Sequence, residues 1–335
     1  MAGTPFPPLG AQQPAQAQPQ QQPARFDKKV GIVGLGRMGS GIAKRLFHAH
    51  VPIGVVYDKN AALAQTLSRE LRCYHAEKLA EVNANAEIIF TVVSDDEAVN
   101  SIFAESGDSL LLGAGGTTFI ECSTVSPKLH KEVANRIANR NGRFIEACMA
   151  GSAPQANDGT LYLILGGNKF VVDQIAPLLR LMSRTQVYVG EVPRGAEVKA
   201  LVNMVMNINT AGLAEGLALG SSLGINLDEL REIFARTGAA SRVLLSDGED
   251  MQKREHTTYF AAEHARKDSG IALDLAHEQN LTLPLAEATK AQYDQMCDVG
   301  LGHIDKSGIS EITFAERRKR YIQSSPEKVA ATVPK

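Results

Sequence analysis

The stretch Val30-Gly-Ile-Val-Gly34-Leu-Gly36-Arg-Met-Gly39 sets three glycines at the spacing G-x-G-x-x-G, directly after an apolar strand-like run and at the opening of a helical one. Few local patterns restrict a fold so narrowly. Gly34 permits a tight turn out of the strand, Gly36 leaves the backbone bare for close approach by a ligand, and Gly39 lets helix and strand pack together. A helix opening at such a turn presents unpaired N–H groups and the positive end of its dipole, which suit a phosphate. The segment Gly34, Leu35, Gly36, Arg37, Met38 and Gly39 therefore reads as the pyrophosphate cradle of a Rossmann unit, with a dinucleotide as ligand. Asp58 ends the next strand-like run, where a carboxylate hydrogen-bonds the adenine ribose hydroxyls and repels a 2′-phosphate. NAD is the expected cofactor, and the adjoining Lys59 keeps NADP open, because a cation there can meet a 2′-phosphate.

Strand-like runs and helical periodicity alternate onward from this point: strand 30–33, helix 38–50, strand 53–57, helix 61–71, then strands 88–93 and 118–121. Strands separated by helices of this length predict a parallel, doubly wound sheet. After Gly190 the apolar positions recur at helical spacing, as in Val198, Leu201, Val202, Val205 and Ile208. The expected fold is α/β: an N-terminal Rossmann doubly wound parallel sheet followed by an all-helical C-terminal domain. The expected division is a disordered Gln/Pro-rich arm over 1–27, the dinucleotide-binding domain over 28–191, a helical substrate and dimerisation domain over 192–322, and a flexible tail over 323–335. Gly212, Gly216 and Gly220, four apart on the first long helix, offer a smooth face for close packing, compatible with a homodimer.

Composition narrows the partners. A formal net charge of -2 over 335 residues supplies no global field for nucleic acid or an anionic membrane, which leaves a small molecule as the expected partner. The longest apolar candidate, 198–223, is interrupted by Lys199, Asn203, Asn207, Asn209 and Glu215, against a membrane span. Cys73, Cys122, Cys148 and Cys297 form no C-x-x-C pair, which argues against a zinc site or disulfide framework; no metal is expected. The arm carries neither an apolar h-region nor an Arg/Ser-rich amphipathic pattern, so a cytoplasmic location is expected ahead of a mitochondrial one.

With these residues in hand, the chain resembles the β-hydroxyacid dehydrogenase family, which contains 3-hydroxyisobutyrate dehydrogenase and the glyoxylate/succinic semialdehyde reductases. The likeness runs from about Lys29 to Ala315. Gly34 to Leu46 is similar to the family's opening G-L-G-x-M-G-x-x-x-A-x-x-L. Glu121-Cys-Ser123-Thr124-Val-Ser-Pro127 is similar to D-x-S-T/S-x-x-P, which implies that Thr124 approaches the cofactor. Glu146-Ala-Cys-Met-Ala150-Gly151-Ser152, followed by Gly159-Thr-Leu and Gly166-Gly167, resembles the substrate segment D-A-P-V-S-G-G…G-T-L…G-G. Ala150 stands there in place of the serine that helps hold the substrate carboxylate, so that task falls to the N–H groups of Gly151 and Ser152 and the Ser152 hydroxyl. Gly195-Ala-Glu-Val-Lys199-Ala-Leu-Val-Asn203 resembles G-x-x-x-K-x-x-x-N, and Arg266-Lys267-Asp268 the K-D pair whose lysine, here Lys267, closes over the cofactor. Gly300-Leu-Gly302-His-Ile-Asp305-Lys-Ser307 resembles the closing G-x-G-x-x-D-x-S.

The resemblance implies an NAD(P)-dependent oxidoreductase that moves hydride between nicotinamide and a small hydroxy acid or its semialdehyde or keto acid. Such a reaction needs a group to take the hydroxyl proton in one direction and return it in the other. Lys199 is the expected acid/base, which requires partial desolvation to bring its basicity toward neutral pH. Asn203, four residues on, shares its helical face and would orient the same substrate. His48, His50, His75, His130 and His303 show no paired spacing and read as structural or exposed, and the basic run Arg317–Arg320 reads as a helix end facing its dipole. The alternative is a non-catalytic dinucleotide-binding scaffold, a form the family takes when this lysine is lost; the chain retains Lys199.

Overall fold

The structure, a computed structural model, describes residues 26–322. The arm expected over 1–27, apart from Phe26 and Asp27, and the tail expected over 323–335 lie outside the described residues. Two compact units divide between Leu201 and Val202. The boundary expected at 191/192 precedes the long helix, Arg194–Ser222, within which this division falls.

The first unit carries β1 (Val30–Val33), α1 (Arg37–His48), β2 (Ile53–Tyr57), α2 (Ala61–Leu71), β3 (Tyr74–His75), α3 (Leu79–Asn85), β4 (Ile88–Thr91) and α4 (Asp96–Ile102). Then come β5 (Thr118–Glu121), α5 (Pro127–Ala138), β6 (Arg143–Ala150), α6 (Ala153–Asp158), β7 (Leu161–Gly167), α7 (Lys169–Leu179), β8 (Ser183–Gly190) and the start of α8 (Arg194–Ser222). The eight strands form one sheet in the order β3-β2-β1-β4-β5-β6-β7-β8. Strands β1, β4 and β5 are buried along their whole length, as befits their largely apolar sequences, with Thr91, Thr118 and Glu121 the polar residues among them. Alternate residues serve opposite cores, with Ile32, Phe90 and Ile120 on one face and Val33, Ile89 and Phe119 on the other.

The sheet departs from the expected parallel arrangement at one place. β6 and β7 run antiparallel, from Ile145 opposite Gly167 to Ala150 opposite Tyr162. The intervening chain holds only α6, too short for a crossover to a parallel neighbour, whereas an antiparallel return needs none.

The second unit is helical: the later turns of α8, then α9 (Leu227–Ala235), α10 (Arg242–Lys253), α11 (Ala262–Glu278), α12 (Pro284–Asp298), α13 (Ser310–Thr313) and α14 (Ala315–Ile322). Its core gathers Ala214, Leu217, Met251, Tyr293 and Met296. Two of the three spaced glycines seat α9 on α8: a Cβ on Gly216 would lie 3.3 Å from the Phe234 ring and one on Gly220 2.3 Å from Leu230 Cδ2, while Gly212 faces open space. The basic run is more than a helix end. Arg317 stacks on the Phe314 ring, donates to the Met251 carbonyl at 2.7 Å and joins Arg254 and His256 around the buried Glu311. Burial pushes the Glu311 carboxyl up, but hydrogen bonds from His256 and Arg254 and the charges of Arg254 and Arg317 outweigh it and hold it down at about 2. No helix among the described residues is long and apolar enough to cross a membrane.

Candidate active site

In the strand order 3-2-1-4-5-6 the connections change direction between β1 and β4, and the crevice beyond the carboxyl ends of those strands is where such sheets take ligands. The fingerprint turn stands there. Gly34 has φ of +88° and donates to the Tyr57 carbonyl at 2.9 Å; a Cβ on it would lie 2.3 Å from the Val92 carbonyl oxygen. A Cβ on Gly39 would lie 1.9 Å from the Gly34 oxygen, so α1 lies against the turn itself. Gly36 differs from both. It is exposed, caps α1 without a side-chain hydrogen bond, and a Cβ added to it meets nothing within 4 Å. Two glycines are thus required by the protein's own packing, whereas the third keeps space open before a helix N-terminus, a cradle that fits a pyrophosphate. Leu35 is buried, Arg37 exposed and Met38 half-buried.

Asp58, half-buried just after β2, accepts from Leu35 N at 2.7 Å and from Asn60 N at 2.8 Å, which ties its carboxylate to the fingerprint turn; Lys59 beside it is exposed. Thr124, half-buried, follows β5 at the same sheet edge. The loop below it is held by Glu121, fully buried, which accepts from Thr91 Oγ1 and Ser123 N at 2.7 Å each, while Ser123 Oγ accepts from Val93 N at 2.9 Å.

Gly151 and Ser152 follow β6. Gly151 has φ of +146°, and Ser152 opens α6 with a capping box in which its N–H donates to Gln155 Oε1 at 2.8 Å and its hydroxyl reaches the same oxygen at 3.3 Å. A substrate carboxylate held by Ser152 must therefore displace the exposed Gln155 side chain. Lys199 is buried on α8, with 8% of its surface exposed. It lies near enough to the β6 thiol Cys148 to be felt there: burial pushes that thiol well up, Glu146 pushes it further, and Lys199 draws it back.

In the second unit Asn203 and Lys267 meet through Asp268, which is 1% exposed. Asn203 Nδ2 donates to Asp268 Oδ2 at 2.5 Å, and Lys267 Nζ pairs with Asp268 Oδ1 at 2.7 Å. The sequence reading left three acids without a role: Asp268 as the link between these two side chains, Glu121 under the Thr124 loop, and Glu146, which is treated below. A signal existed for the last two, because each is a lone acid in an otherwise apolar strand, Thr-Phe-Ile-Glu121 and Phe-Ile-Glu146-Ala-Cys. His130, read as structural or exposed, is wholly buried against Glu146.

Comparison with known proteins adds to this geometry. Residues 29–190 match the family model described as the NAD binding domain of 6-phosphogluconate dehydrogenase, and residues 194–312 match that described as NAD-binding of NADP-dependent 3-hydroxyisobutyrate dehydrogenase. The chain is 28% identical over 283 residues to glyoxylate/succinic semialdehyde reductase 1 of Arabidopsis thaliana, covering 84% of this chain and 97% of that one. It is 27% identical over 281 residues to the cytokine-like nuclear factor N-PAC of Anopheles gambiae; that match covers 84% of this chain and spans about half, 49%, of the relative's length. Among solved structures, the 3-hydroxyisobutyrate dehydrogenase of Mycobacterium tuberculosis shares the fold, with a TM-score of 0.79 at 20% identity over 87% of this chain and 100% of that one.

Proposed function

The chain belongs to the β-hydroxyacid dehydrogenase family, and on that premise we propose that it is an NAD(P)-dependent oxidoreductase interconverting a small hydroxy acid and its semialdehyde or keto acid. The observation that carries this reading is Lys199, retained at its motif position and buried on α8. The nicotinamide, when bound, supplies the hydride carrier. The turn from Gly34 to Gly39 holds the pyrophosphate, Asp58 the adenine ribose, and Thr124 and Lys267 complete the cofactor contacts. The Lys199 amine takes the proton from the substrate hydroxyl during oxidation and returns one to the carbonyl oxygen during reduction. Asn203, oriented by Asp268, aligns the substrate oxygen, and Gly151 and Ser152 hold its carboxylate once Gln155 moves aside. A cytoplasmic location accords with Cys122 and Cys148 as buried thiols. A panel of small semialdehydes, keto acids and hydroxy acids with both cofactors tests the reading; no turnover across the panel overturns it.

The likeness to a relative named a nuclear factor favours a second reading, a dinucleotide-binding module without turnover. Dinucleotide binding by titration with no activity in the same panel would select it.

NAD is the proposed cofactor: the Asp58 carboxylate, which accepts from Leu35 N of the fingerprint turn, stands after β2, where such an acid would bind the ribose hydroxyls and repel a 2′-phosphate. Asp58→Ser is expected to raise the ratio of kcat/KM for NADP over NAD roughly tenfold or more, equivalent to about 1.4 kcal/mol of relieved repulsion. A parent enzyme that already prefers NADP removes the assignment.

A homodimer is proposed as well. α8 exposes Val205, Gly212 and Leu219 at heptad spacing, a stripe on which a second copy can pack, with Gly212 admitting close approach. Light scattering at micromolar concentration should report twice the chain mass, and a monomer excludes the dimer.

A further inference from the structure

We propose that Glu146 is a positioning residue for Lys199: its carboxylate clamps the first turn of α8 to β6 and thereby sets where the lysine amine stands. This rests on the reading of Lys199 as the acid/base. Glu146 has no exposed surface, and a carboxylate is costly in such a place unless donors surround it. Three do. Gly195 N donates to Oε2 at 2.8 Å, Ala196 N reaches Oε1 at 3.1 Å, and the buried His130 Nδ1 meets Oε1 at 2.7 Å. Two of these donors are the free amides at the start of α8, so a strand side chain caps the helix and faces the positive end of its dipole.

The glycines around the carboxylate show how closely it is held. A Cβ on Gly195 would lie 2.8 Å from Glu146 Oε2 and 2.9 Å from Glu146 Cβ, and one on Gly166 would lie 2.0 Å from Oε2. Gly195 and Lys199 are four apart on α8 and share one face, as Glu146 and Cys148, two apart on β6, share one face of the sheet. Glu146 meets Gly195, and Cys148 senses Lys199. The strand and the helix thus run in register, with the clamp one turn before the amine. Holding a reacting group within a fraction of an ångström is what such a clamp contributes, since a displacement near 1 Å costs on the order of 10²-fold in rate. His130 completes the arrangement at the cost of leaving its Nε2 without a hydrogen-bond partner.

The test compares Glu146→Gln, Gly195→Ala and each of them in a Lys199→Ala background. The glutamine keeps the shape but turns an NH₂ toward a backbone amide, and the alanine pushes its Cβ into the carboxylate. Each single variant is expected to lower kcat roughly tenfold to a hundredfold with the Kd for NADH unchanged, and to add almost nothing once Lys199 is gone. A readout free of turnover is the rate at which an amine-acylating reagent modifies Lys199, followed by peptide mass spectrometry and expected to change about threefold or more. Folded variants with kcat and Lys199 reactivity near parental values overturn the proposal, and so does an undiminished loss in the Lys199→Ala background. If Glu146→Gln does not fold, Gly195→Ala carries the same comparison. Full kcat in Lys199→Ala alone signals the separate failure of the acid/base assignment, and Lys199 reactivity then still decides whether the clamp exists.

Discussion

Lys199→Ala is expected to lower kcat by roughly 10² to 10⁴-fold, the range for removal of a positioned acid/base. The Kd for NADH should change little, because the cradle at Gly36 and the Asp58 carboxylate are built from other strands' ends. Lys199→Arg should fail almost as severely, since a guanidinium stays protonated and cannot take the hydroxyl proton. Steady-state kinetics with a binding titration on each variant separates chemistry from affinity. If Lys199→Ala keeps more than about a tenth of parental kcat with cofactor binding intact, the lysine is not the acid/base, and Lys267, ion-paired to Asp268, becomes the next candidate.

The second large effect is expected at Gly36. Gly36→Val should weaken NADH binding by on the order of 10²-fold or more, about 2.7 kcal/mol, by filling the space the pyrophosphate needs. The protein itself should tolerate the change: φ at Gly36 is -60°, ordinary for any residue, and an added Cβ touches nothing within 4 Å. Only the helix-cap preference is lost, about 1 kcal/mol, so Tm should fall by a few degrees at most. Gly39→Ala provides the contrast, since its Cβ would strike the Gly34 oxygen at 1.9 Å and disturb the fold with or without ligand. A calorimetric titration beside a thermal melt checks both, and a Gly36→Val protein that binds NADH with a near-parental Kd would falsify the cradle.

Local regularities made much of this legible in advance. The strand after Lys29, the glycine turn and the helix beyond it follow from period and backbone freedom alone, and β1, β2 and β5 lie where alternation placed them. The reversal at β6 and β7 was not visible, because strand direction depends on the reach of the connection and no side-chain pattern distinguishes the two cases in a strand buried over most of its length. Glu146 and His130 are 16 residues apart, and Glu146 and Gly195 49 apart; such pairings arise from sheet register, which spacing along a chain does not encode. Ser152 shows a different limit. Its hydroxyl suits a ligand or a cap equally well, and the nearby Gln155 completes a capping box that a motif reading for substrate passes over.

The antiparallel turn-back between β6 and β7 also shapes what the fold can become. Because Ala150 faces Tyr162 across the ladder, the two ends of the intervening stretch are pinned side by side. Gly151 at φ +146° and Gly159 at φ +71° act as hinges that few other residues could replace. Between them, residues 152–158 contribute no strand to the sheet; Ala156 is buried in the core against α1, where a Cβ on Gly41 would lie 3.1 Å from its own Cβ, and positions 154, 155, 157 and 158 are exposed. Exchanging those exposed positions changes the surface beside the proposed carboxylate site while every strand partner keeps its neighbour. Variation can therefore accumulate at the exposed positions of this segment without repeated repair of the core, and a library confined to 154, 155, 157 and 158 leaves Ala156 and the sheet unchanged.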